Sequence, residues 1–86
     1  MAKPTIRELL IAGLRDLGAK PVHSRATKYD YFYLPQTDSI YKVGRSGALR
    51  VKLSKELGDA AVSARFKAYV LERGRQAIAR ERAVAK

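Results

Sequence analysis

The apolar residues of this chain change period twice, from helical to alternating and back, and few small folds satisfy that order. Ile6, Leu9, Leu10, Gly13, Leu14 and Leu17 recur at helical spacing and form one stripe. Thr5 and Glu8 make a T-x-x-E capping box ahead of it, and Gly18 stands where a left-handed C-cap belongs, so the spacing predicts a helix over 6–17. Pro21 ends any continuation, and residues 19–27 read either as a short edge strand around Val22 or as a loop. From Lys28 to Leu34 the composition turns aromatic and strand-prone, with turn chemistry over Pro35–Ser39. A second strand is predicted over Ile40–Val43, a turn over Gly44–Gly47 and a third strand over Ala48–Leu53. Ser54, or Asp59 a turn later, can cap a second helix whose stripe is Val62, Phe66, Tyr69 and Val70, with Gly74 offering an end. The expected fold is therefore α+β in the order α-β-β-β-α, a three-stranded antiparallel sheet with both helices on one face.

After Gly74 the Ala- and Arg-rich segment has good helix propensity but a thin apolar stripe: Ala77 and Val84 continue the face while Arg73 and Arg80 interrupt it. The division expected is one domain over 1–74 and a frayed basic helical extension over 75–86 that orders on a partner. At 86 residues the chain buries only about 60–65% of its unfolded surface, and 47% apolar residues suffice for that modest core. The absence of cysteine removes disulfides, thiolate zinc sites and cysteine nucleophiles together. No run approaches the length of a membrane span, and Met1–Pro4 leads straight into an amphipathic helix with no apolar signal core. A cytoplasmic location is expected, in a bacterial cell or a phage-infected host.

Charge narrows the function. Eighteen Lys and Arg face eight Asp and Glu, a formal +10, and residues 65–86 alone carry +5. Such an excess suits a polyanion, because Lys and Arg release condensed counterions from a phosphate backbone.

Catalytic chemistry finds little support. His23 is the only histidine, and a lone histidine close to a proline is far more often an ordinary surface residue than a catalyst. Nothing in the sequence aims a base or an oxyanion hole at Ser24 or Ser46, and Asp30, Asp38, Glu56 and Asp59 lack metal-ligand spacing. Gly44-Arg45-Ser46-Gly47 joins two strands instead of opening a helix, so its glycines serve a tight hairpin and not a phosphate loop. No enzyme activity, metal or cofactor is expected.

The third strand alternates Leu49, Val51 and Leu53 with Ala48, Arg50 and Lys52, which places Arg50 and Lys52 together on the open face. A two- or four-residue turn would put Tyr41 outside beside Arg50; a bulged turn puts Lys42 outside and Tyr41 in the core. Tyr41 and Val43 inside make the better core, which favours the bulged turn. Either register leaves Arg45 at the tip of a basic hairpin flanked by Lys42, Arg50 and Lys52. Tyr29, Tyr31 and Tyr33 share one face of the preceding strand, opposite Phe32 and Leu34. Tyr31 and Tyr33 are candidates for stacking bases, with cross-strand packing as the structural reading of the same row.

The run from Ile40 to Val51, Ile-Tyr-Lys-Val-Gly-Arg-Ser-Gly-Ala-Leu-Arg-Val, resembles a Val-Gly-x-Ser-Gly-Ala-Leu-Arg hairpin of small bacteriophage and mobile-element proteins. The expected element order is also similar to that of double-stranded RNA-binding domains and HicA-type messenger-RNA interferase toxins. The signature residues of both are lacking: Ser54-Lys55-Glu56-Leu57-Gly58 stands where the RNA-binding domains' Lys-Lys-x-Ala-Lys cluster would open the second helix, and Ala26-Thr27-Lys28-Tyr29 stands where the toxins' catalytic His would precede the second strand. The hairpin resemblance implies a phage-like origin, a setting in which small proteins often bind nucleic acid or inhibit a host nucleic-acid enzyme.

The expected function is non-catalytic nucleic-acid binding, DNA slightly ahead of RNA, by a monomer or homodimer. Lys42, Arg45, Arg50 and Lys52 form one expected cluster of phosphate contacts; Arg65, Lys67, Arg73, Arg75, Arg80 and Arg82 form a second. Engagement of six or so phosphates predicts a change in log K of about −5 per decade of salt. The alternative is a phage-type inhibitor or adaptor that meets a host nucleic-acid enzyme by protein–protein contact.

Overall fold

In a computed structural model that describes residues 3–23, 29–53 and 56–84, the elements follow in the order α1 (Ile6–Asp16), β1 (Lys20–Val22), β2 (Tyr29–Leu34), β3 (Ser39–Gly44), β4 (Leu49–Lys52), β5 (Asp59–Ala61) and α2 (Ala64–Val84). Ser24, Ser54 and the expected strand start at Lys28 lie outside the described residues. The α+β class is as expected, but the three-stranded sheet is not. Among the described residues five strands form one antiparallel meander in the order β1-β2-β3-β4-β5.

α1 follows its local signals closely. The Thr5 hydroxyl accepts from the Glu8 amide at 3.1 Å while the Glu8 carboxylate accepts from the Thr5 amide, a complete capping box. At the other end Gly18 takes φ +96°, and the Gly18 and Ala19 amides donate to the Arg15 and Leu14 carbonyls, closing a Schellman motif. Gln36, from the β2–β3 turn, donates to the Leu17 carbonyl at 2.9 Å and ties the helix end to the sheet.

The two strands beyond the expected three have different causes. β1 is the edge strand left open by the sequence; its Pro21 pairs opposite Phe32 at the sheet margin, where a missing backbone donor is tolerated. β5 reads Asp59-Ala60-Ala61, a triplet with poor strand propensity. It pairs Arg50 with Ala61 and Lys52 with Asp59, and the Asp59 carboxylate forms ion pairs with Lys42 and Arg50. Cross-strand charge therefore holds a strand that intrinsic preference does not. Asp59 consequently caps no helix; Ser63 does, its hydroxyl accepting from the Phe66 amide at 3.1 Å.

α2 also departs from expectation, running unbroken through Gly74 to Val84. A Cβ built on Gly74 would lie 2.0 Å from the Leu9 carbonyl oxygen, and one on Gly13 would lie 2.0 Å from that of Val70. The two glycines thus permit α1 and α2 to touch backbone to backbone. Gly74 is a crossing point and not a terminus.

The core lies between this helix pair and one face of the sheet, built from Leu10, Leu14, Phe32, Leu34, Tyr41, Val43, Leu49 and Val70 with their neighbours. Tyr41 stacks on Phe66 at 5.2 Å between centroids and meets the Thr37 hydroxyl at 3.0 Å, so its polar end is satisfied. With one sheet face covered in this way, the other is open.

Candidate functional site

The β3–β4 hairpin adopts the bulged form. The Gly47 amide donates to the Gly44 carbonyl, Gly47 takes φ +89°, and the Gly44 amide donates to the Ala48 carbonyl. This register sets Tyr41 opposite Val51 toward the core and Lys42 opposite Arg50 on the open face. Directly opposed residues share a face, so the same pairing places Lys20 beside Tyr33, Val22 beside Tyr31, and Tyr31 beside Lys42. The open face therefore carries Lys20, Tyr29, Tyr31, Tyr33, Lys42, Arg50, Lys52 and Asp59, with exposed Arg45 on the hairpin loop.

Two like charges directly opposite each other, Lys42 and Arg50, would repel. Asp59 resolves this by accepting from Lys42 Nζ at 2.7 Å and from Arg50 Nε. Those hydrogen bonds hold the Asp59 carboxyl below its ordinary range, and the bond to Asp59 raises the Lys42 ammonium above its own. Lys42 Nζ also stands 4.3 Å from the centroid of Tyr29 and 6.0 Å from that of Tyr31, while Lys52 Nζ stands 5.9 Å from Tyr31. Tyr29 and Tyr31 meet edge to face at 6.5 Å. Tyr33 differs. Its hydroxyl donates to Asp38 at 2.7 Å, which raises its pKa and leaves a carboxylate beside it.

Of the sequence-derived candidates, Lys42, Arg50, Lys52, Tyr31 and Tyr33 thus share one face, with Arg45 at its end. The α2 candidates do not join them. Arg65, Lys67, Arg73, Arg75, Arg80 and Arg82 belong to the helical layer on the covered side of the sheet. There Arg73 and Arg80 both pair with Asp16 of α1, and Arg75 pairs with Glu72. The two expected clusters thus belong to different layers, one on the open face of the sheet and the other on α2.

Sequence reasoning missed three contributors. Lys20 sits in a segment whose sequence reads equally as edge strand or loop, Tyr29 lies in the tyrosine row but outside the stacking candidates Tyr31 and Tyr33, and Asp59 reads as one of two possible helix caps, with Ser54 the other. The alternation Lys20-Pro21-Val22 was the available signal for the first; no local signal marks the last.

His23 is exposed, and among the described residues no three His, Cys, Asp or Glu side chains gather as metal ligands. No helix among the described residues is long and apolar enough to cross a membrane. Set against family models, curated proteins and solved structures, the chain matches none.

Proposed function

We propose that this chain is a non-catalytic nucleic-acid-binding module whose ligand lies on the open face of the sheet. The observation that supports it is the juxtaposition of Lys20, Lys42, Arg50, Lys52 and Arg45 with a tyrosine row, against Asp59 as the carboxylate set among those cations. The helical layer is also basic, but Glu8, Asp16, Glu72 and Glu81 are interleaved with its cations. Five sheet-side cations less the one offset by Asp59 leave about four phosphate contacts, so log K should change by about −3 to −4 per decade of salt. A fluorescence-anisotropy titration at two salt concentrations measures this, with DNA and RNA of one sequence side by side. DNA is placed slightly ahead. A flat response, or no binding at low salt, removes the reading.

A second reading, a phage-type inhibitor or adaptor, draws on a cleft between α1 and α2 of about 790 Å³ with Ile11, Ala12, Ala77 and Ile78 along its walls. Capture of a stoichiometric protein partner from nuclease-treated lysate favours it, and loss of all partners on nuclease treatment favours direct nucleic-acid binding.

A further inference from the structure

We infer that the open sheet face takes nucleic acid as a single strand, with a base laid on the ring of Tyr31 and the backbone crossing β3 and β4. The inference rests on the nucleic-acid reading of that face and adds which form of the polymer fits it.

Width decides against a duplex groove. Five strands span four gaps of about 4.8 Å, roughly 19 Å, whereas the major groove of B-DNA is about 12 Å wide. The face carries no helix that could enter a groove; the bulged turn bearing Arg45 is at one end of it. A duplex laid flat would offer only phosphates, leaving the tyrosine rings without a partner, since its bases are stacked inside. A single strand exposes base faces, and aromatic rings on a sheet receive them irrespective of sequence.

The electrostatics select the seat within the row. Tyr33 is tied to Asp38, whose carboxylate repels phosphate at that end. The ring of Tyr29 already has Lys42 Nζ over it at 4.3 Å. Tyr31 lies between them, paired to Val22 on one side and Lys42 on the other, with the Lys42 and Lys52 ammonium groups farther from its ring, at 6.0 and 5.9 Å from the centroid. Beyond Lys42 the same row continues to Arg50. Cations therefore lead away from Tyr31 across the strands, not along β2, and a phosphate chain follows them.

The test uses the full chain, a labelled oligothymidylate and a duplex of equal length at low salt. The single strand is expected to bind at least about tenfold tighter than the duplex and to quench tyrosine emission, which no tryptophan obscures. Tyr31→Ala should weaken single-strand binding about tenfold with little change in salt slope, Tyr31→Phe should restore it, and Tyr33→Ala should have little effect. Thermal melts establish that each variant is folded, and the comparison of single strand with duplex needs no variant. Equal or tighter duplex binding, or a folded Tyr31→Ala that binds normally while Arg50→Ala does not, overturns the single-strand inference and leaves nucleic-acid binding intact. Absence of binding to either ligand overturns both.

Discussion

At Gly74 a single methyl group is enough to decide how two helices meet. Alanine there would gain up to about 1 kcal/mol in helix propensity. Its Cβ, however, would fall 2.0 Å from the Leu9 carbonyl oxygen, a contact with backbone that no side-chain rotation relieves. Overpacking of this kind typically costs about 1–3 kcal/mol and sometimes more. Gly74→Ala is therefore expected to lose about 2 kcal/mol net and lower Tm by roughly 10 °C in a thermal melt; a raised Tm would show that the helices can separate without cost. The residue also shows where sequence reading stops. A glycine inside a helical stripe means an end or a close approach, and the atom that distinguishes them belongs to a residue far upstream. Gly18 and Gly47 were legible because their positive φ angles answer to turns written in their immediate neighbours.

Among the elements, β5 depends most on charge. The Asp59 carboxyl is held below its unfolded value, so its contribution is complete above the ordinary carboxylate range and is lost as pH falls through the lower folded value. Lys42 is held above its unfolded value, so its contribution is complete below the ordinary lysine range and is lost as pH rises through the higher folded value. Between about pH 5 and pH 9 the triad should leave stability unchanged. Tm measured below about pH 4 and above about pH 10 should fall, and Asp59→Asn should show less of each fall while being less stable at neutral pH. Equal pH profiles for the two proteins would mean that the ion pairs do not anchor the strand. The same dependence explains why β5 was invisible in the sequence while α1 was plain: capping box, stripe and C-cap glycine lie within α1 and its flanks, whereas the partners of Asp59 come from two other strands. The bulged hairpin lies between these cases, decided by which register buries Tyr41.

For the molecule as a whole, the distribution of charge matters more than its total of +10. The expected clusters on the third predicted strand and the second helix were each real as sequence patterns, yet the covered face of the sheet divides them. A triple change of Lys42, Arg50 and Lys52 to glutamine should reduce the salt slope by about 2–3 and abolish tight binding, whereas the same change at Arg65, Lys67 and Arg82 should alter the slope by less than about 1. Equal losses from the two sets, in titrations against one oligonucleotide, would mean that the ligand wraps the protein. Which cations share a surface was not legible beforehand because it depends on strand register and helix placement, both set by long-range contacts.

The margins of the sheet have a consequence of their own. β1 and β5 are three residues each, one interrupted by a proline and the other bearing a carboxylate. A growing β-ribbon needs a long, flat, donor-rich border to template the next molecule, and neither side supplies one. The protein is thereby guarded against fibril-like self-addition at high concentration.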